Sequence, residues 1–194
     1  MNQTFIYSVA LFMTCLSASA LAGVFFEPYL GYSFGKINNG DLGAGASVIG
    51  GETSQRQLGA RVGYNFIAVN GGLDLSYQSG SLSSNQDASK TDFKTTEMAG
   101  YVGIRTAAFI KGYVGYIFSS FNQIDSSPSG PSTKLNGSGM KIGIGFTGIP
   151  LVDLTTEYRR ISYSSYTAPG ASKQTVNNMP GNYFSILVSI PVDL

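Results

Sequence analysis

Between Phe25 and the C-terminus, eight runs carry hydrophobic side chains at every second position, with small or polar residues between them. Successive side chains of a β-strand point to opposite faces, so this rhythm predicts strands with one apolar and one polar face. In the first run, Phe25 to Gly35, Pro28, Leu30, Tyr32 and Phe34 oppose Glu27, Tyr29, Gly31 and Ser33. In the second, Gln57 to Phe66, Leu58, Ala60, Val62, Tyr64 and Phe66 oppose Gln57, Gly59, Arg61 and Gly63. The same rule holds for Gly71 to Gln78, Thr95 to Arg105 and Ile110 to Phe121. It is clearest from Ser138 to Phe146, where Met140, Ile142, Ile144 and Phe146 alternate with Lys141, Gly143 and Gly145. Val152 to Tyr163 follows it, and the eighth run carries Phe184, Ile186, Val188, Ile190, Val192 and Leu194 on one parity up to the terminus.

The joins alternate as regularly as the side chains. Ile67 to Asn70, Thr106 to Phe109 and Gly148 to Leu151 are a few residues each, whereas Lys36 to Ser54, Gly80 to Asp92, Asn122 to Asn136 and Ser164 to Gly181 are long, polar and rich in Ser, Gly and Asn. Short turns at one end and long loops at the other predict an up-and-down barrel that crosses a membrane. About 9 to 11 residues per strand suffice to cross when tilted, and an unpaired backbone group in lipid costs several kcal/mol, so the eighth strand is expected to pair with the first and leave no edge. Pro28 and Pro191 fall near the ends of those closing strands, where a missing N–H is tolerated. The expected fold is all-β, an eight-stranded antiparallel up-and-down transmembrane β-barrel over residues 23–194, preceded by an N-terminal signal peptide at residues 1–22. The Ser-rich segments Gly80 to Ser89 and Ser126 to Ser132 are expected to be mobile loop tips.

The signal reading rests on an apolar run, Phe5 to Leu16, followed by small residues ending Ala20-Leu21-Ala22. That run is short for a bilayer-spanning helix, which needs about 20 residues, and its n-region lacks Lys or Arg. It implies export by the general secretory route. The only cysteine, Cys15, lies inside it, so the mature chain would hold no thiol.

Composition sharpens this picture. Charged residues make up 12% of the chain against 43% hydrophobic and 25 glycines. So few charges would cover a water-facing surface poorly but suit a lipid-facing one. The formal net charge of +1 gives no electrostatic reason to bind nucleic acid. With no histidine and no mature cysteine, neither a Ser-His-Asp triad nor the main zinc-binding side chains are present; no catalytic residue, metal or cofactor is expected.

The phrases "FEPYLGYSFG" at Phe26 to Gly35, "GGLDLSY" at Gly71 to Tyr77, "GYVGIR" at Gly100 to Arg105 and "EYRRISY" at Glu157 to Tyr163 resemble the eight-stranded outer-membrane barrel domains of the OmpA/OmpX type. The resemblance covers the whole predicted mature chain and implies a bacterial outer-membrane location. It differs at the end: the peptidoglycan-binding domain that many such proteins carry is not expected here, and Pro191-Val192-Asp193-Leu194 stands where such barrels usually show a terminal aromatic to their assembly machinery.

Parity sends Glu27, Asp74, Glu97, Asp153 and Glu157 inward together with Arg61, Arg105, Lys111, Lys141 and Arg159. A desolvated charge needs a partner, so these are expected to pair into a polar plug, with a narrow or gated conduit as the alternative and catalysis by an inner Glu–Arg cluster the least favoured. The core of this network is expected at Glu27, Arg61, Glu97, Lys141, Glu157 and Arg159; Asp74, Asp153, Arg105 and Lys111, near the short turns, are expected to be wetted. The lipid-facing set is Leu30, Tyr32, Phe34, Val62, Tyr64, Met140, Ile142, Ile144, Ile186 and Val188. Arg160 has lipid-facing parity and is expected either to snorkel toward a lipopolysaccharide phosphate or to sit at a bulge. Outward aromatics, among them Tyr77, Phe118, Tyr158 and Phe184 toward one rim and Phe66 and Phe146 toward the other, would form interfacial girdles. The expected partners are outer-membrane lipids, including lipopolysaccharide, and the assembly machinery. A monomer is expected, and the loops name no surface partner. Three readings remain open: a barrel that acts through its long loops in adhesion, interaction or structural support, a small passive or gated channel for ions or small solutes, or a soluble secreted β-protein.

Overall fold

The computed structural model describes residues 23–43, 46–48, 50–84, 89–106, 108–125 and 132–194. The signal peptide expected at 1–22, with Cys15, lies outside the described residues, as do most of 85–89 and 126–132. The described residues contain no helix. The strands are β1 (Gly23–Ile37), β2 (Gly40–Gly43), β3 (Ala46–Val48), β4 (Gly51–Phe66), β5 (Val69–Ser84), β6 (Lys90–Arg105), β7 (Ile110–Asp125), β8 (Ser132–Ile149), β9 (Val152–Thr167), β10 (Gln174–Ser189) and β11 (Val192–Asp193).

Eight of these form the wall. β1, β4, β5, β6, β7, β8, β9 and β10 pair antiparallel in sequence order, and β10 returns to β1 from Tyr29↔Ser189 to Ile37↔Gly181. The sheet is therefore closed, and every wall strand has a neighbour on both sides, as a lipid environment requires. Val192 and Asp193 extend this seam as β11 against Phe26 and Phe25.

The wall strands are 15 to 18 residues long, longer than crossing a bilayer needs. The segments expected to be long loops are largely strand: β4 begins at Gly51, β5 reaches Ser84, β7 reaches Asp125 and β9 reaches Thr167. Gly80 to Ser84, expected to be a loop tip, lies in the β4–β5 ladder as far as Gly51↔Ser84. Composition misled here, because Ser and Gly favour turns but also suit a wall whose outward face has risen above the lipid.

Along most wall strands the apolar residues change face. In the lower half most of them point out, and in the upper half they point in. On β5, Tyr77 is outward and Leu82 buried; on β6, Met98 is outward and Phe93 buried; on β8, Met140 is outward and Leu135 buried. The odd spacing of five residues in each pair changes the face. Tyr158 and Ile161 on β9 make the same change across three residues.

These buried residues, with Ile37, Ile117, Val176 and Met179, form an apolar core inside the outer end of the barrel. The hairpin β2–β3 folds over it: Val48 is buried in the core, Leu42 packs against it, and Asn177 of β10 pairs with Asp41. Gly40 permits this approach, since a Cβ there would lie 2.5 Å from Val176 Cγ1 and 2.9 Å from Met179 Sδ. A bulge on β7 between Ile117 and Ser120 turns Ser120 and Asn122 inward, and another on β10 between Thr175 and Met179 contains Asn178 at φ 53°. Arg160, by contrast, lies in regular register with Asn182 and Met140 and points outward, so no bulge redirects it.

The three short turns fall where expected. Each holds one apolar residue in the left-handed region: Ile67 at φ 57°, Phe109 at 61° and Leu151 at 65°. That region costs a residue with a Cβ roughly 1–2 kcal/mol, and Gly or Asn is the usual occupant.

Candidate functional site

The interior charges form one chain. Arg105 pairs with Asp153, Asp153 with Lys111, Lys111 with Glu27, and Glu27 with Arg61. Arg61 pairs with Asp74, Asp74 with Lys141, Lys141 with Glu157, Glu157 with Arg159, and Arg159 with Glu97. Five cations and five carboxylates thus alternate in sign across the lumen. Inward parity on β1, β4, β5, β6, β7, β8 and β9 supplies them, and β10 adds the hydroxyls of Ser185 and Ser189.

Arg61 is the lower centre. Its Nε donates to Asp74 Oδ2 at 2.9 Å, one terminal nitrogen to Glu27 Oε1 at 3.1 Å and the other to the Tyr113 hydroxyl at 2.6 Å. Its guanidinium lies 4.8 Å from the Tyr29 ring centroid and 4.5 Å from that of Tyr113. Tyr29 donates to Asp74 at 2.7 Å, and Tyr113 to Glu157 at 2.6 Å. Glu27 also accepts from Lys111 and Ser189, each at 2.6 Å. Gly143 makes room for this arrangement, because a Cβ there would collide with the Tyr113 ring.

Arg159 is the upper centre, fully buried. It donates to Glu97 at 2.6 Å, Ser33 at 2.7 Å, Gln78 at 3.0 Å and Ser185 at 3.2 Å. Planar donors pointing in several directions let one arginine satisfy acceptors on several strands. Above it, Gln55 donates to Thr95, and Thr95 donates to Asn122. The apolar core then closes the lumen, while Phe25, Tyr101 and Tyr113 make edge-to-face contacts near the short-turn end.

The structure brings Glu27, Arg61, Glu97, Lys141, Glu157 and Arg159 into this network. It corrects the expectation for Asp74, Lys111 and Asp153: all three are buried within it, because Arg61, Lys141 and Lys111 reach toward the turns to meet them. Arg105 remains partly exposed. Sequence parity gave no sign of the tyrosines' roles; an inward Tyr beside an inward ion on a neighbouring strand, such as Tyr29 near Arg61, was the available signal. Leu30, Tyr32, Phe34, Val62, Tyr64, Met140, Ile142, Ile144, Ile186 and Val188 all point out of the wall.

Ion pairs outside the lumen differ. Lys94 meets Asp125 at 2.8 Å on the outer extension, but the lysine side chain is 43% exposed. Lys94→Ala should leave the midpoint of a urea titration essentially unchanged, since water and salt screen such a pair. Among the described residues, no group of three or more His, Cys, Asp or Glu could hold a metal ion.

A closed antiparallel barrel with an apolar outer belt and an ionic interior defines an integral β-barrel membrane protein. The chain belongs to the outer membrane protein beta-barrel domain family, whose model matches residues 8–188. Among solved structures it is similar to Neisserial surface protein A, at 20% identity over 85% of this chain and 96% of that one, with a TM-score of 0.55. It is also similar to OprG from Pseudomonas aeruginosa, at 14% identity over 89% and 97% of the two chains and a TM-score of 0.48. No curated protein matches the chain in sequence. The fold class is that of bacterial outer-membrane barrels.

Proposed function

We propose that this protein is a non-enzymatic, non-conducting barrel that works at its outer end, by adhesion, interaction or structural support of the outer membrane. The observation that carries this reading is the double closure of the lumen: a ten-member ion chain in the lower part and an apolar core in the upper part. An ion crossing the barrel would have to break buried charge pairs and then enter an apolar layer with no polar partner, and each step costs several kcal/mol. A passive channel, the second function open from sequence, is disfavoured by that apolar layer. The outer extension, with Lys36, Glu52, Arg56, Lys94 and Arg160 on or near its outward face, is then the surface offered to partners. Arg160 and Lys36 flank Asn182 across neighbouring strands, above the outward Phe34, Phe184 and Tyr158. This grouping of cations over aromatics suits the phosphates of an outer-leaflet glycolipid, so lipopolysaccharide is part of the proposed environment. The barrel is proposed to be a monomer delivered by the outer-membrane assembly machinery after general secretion.

Planar-bilayer recording of the refolded protein tests this. Insertion without discrete conductance steps is expected; reproducible unitary steps would replace the reading with the channel.

A further inference from the structure

We propose that the three short turns are lipid anchors, seated inside the leaflet at that end of the barrel and not projecting into water. Ile67, Phe109 and Leu151 each hold an unfavourable left-handed backbone with a side chain that is apolar and solvent-accessible in the isolated chain, 84% so at Leu151. Gly or Asn would relieve that strain. An apolar side chain at all three turns therefore answers to something outside the fold, because the fold leaves Leu151 mostly uncovered and Phe109 and Ile67 about half uncovered.

The occupant follows from the wall next to the turns. At the outer end the outward face ends in polar residues: Lys36, Glu52, Arg56 and Arg160. Among the described residues at the short-turn end, no charged side chain at an outward position borders the belt. Phe66, Val69, Ile104, Ile110, Phe146 and Ile190 carry the apolar belt up to the turns. The charged groups at this end lie at lumen-facing positions: Arg105 pairs with Asp153, and Asp193 accepts from Asn65 at 2.7 Å. Lipid already covers the belt, and the turn residues are continuous with it.

The dimensions agree. On β4 the outward apolar run extends from Leu58 to Phe66, which at about 3.3 Å per residue and a tilt of about 40° is roughly 20 Å of height. The apolar band of an outer-membrane barrel is about 25 Å. On β1 the outward run from Val24 to Phe34 reaches about 25 Å by the same reckoning, so the belt extends to the short-turn end of the wall with no polar margin left below it. Beside the Phe109 turn, an outer-wall groove of about 350 Å³, lined by Val69, Val102, Ile104, Val114, Ile142 and Ile144 around Gly112, gives an acyl chain a place to lie.

The inference rests on the membrane assignment, and its test separates the two. Leu151→Cys, Phe109→Cys, Ile142→Cys and Lys90→Cys, each in a chain with Cys15 absent after processing, are labelled with an environment-sensitive fluorophore. They are refolded into phosphatidylethanolamine–phosphatidylglycerol vesicles, and folding is verified by heat-modifiable gel migration. Leu151 is the safest site, since its side chain makes little contact with the fold. Bromine on the lipid chains is expected to quench labels at 151 and 109, with iodide quenching severalfold weaker than at 90. Strong iodide quenching at 151 and 109 would overturn the proposal and place the turns in water. Resistance to both quenchers would overturn it in favour of a protein cover such as a second copy. If Ile142→Cys also escapes bromine, the membrane assignment itself fails; if only the turns escape it, only the anchoring fails.

Discussion

Arg61→Ala should lower the unfolding free energy by about 3–5 kcal/mol, measured by urea titration of the barrel in lipid vesicles. The arginine lies between Glu27, Asp74 and Glu157 and is 1% exposed. Its removal leaves carboxylates facing one another without their shared cation. Lys111 and Lys141 can still neutralise Glu27 and Asp74, which is why a loss near the lower end of the range is expected rather than complete failure to fold. The Tyr29 and Tyr113 rings would also lose the guanidinium between them. A change under about 1 kcal/mol would mean that the network is not a structural plug.

Phe93→Ala should be nearly as costly, for a different reason. The ring is fully buried in the apolar core, and truncating a buried Phe costs about 3–5 kcal/mol through lost transfer energy and the cavity left behind. Conductance should nevertheless stay absent, because the Arg159–Glu97 pair and the ions below it remain in place. Unfolding titration and planar-bilayer recording of the same preparation check both halves. Channel steps in this variant would show that the apolar layer alone closes the lumen.

The lower half of the barrel was legible in the sequence because water-free surroundings leave a two-residue alternation little choice. Ile142 and Ile144 point out and Gly143 in, and every charge assigned to the lumen by parity lies there. The upper half resembles loop in sequence because its outward residues are polar and small, as in Ser79, Ser81 and Ser83 of β5. The inward apolar residues that would have revealed continuing strands, such as Leu82 and Phe93, have the opposite parity to the belt and look like interruptions of it. Which charges meet could not be read from parity either. Asp74 and Lys141 are 67 residues apart and join only because closure of the wall brings non-neighbouring strands across one narrow lumen.

The length of the wall strands has a consequence for recognition. At 15 to 18 residues they continue well past the lipid band as a hydrogen-bonded tube, with a hairpin seated in its mouth. A partner docking on the described part of that tube would meet a hydrogen-bonded wall, so ordering that part would cost little entropy on association and selectivity could come from fit. Variation in such a rim would change what is grasped without loosening the grip.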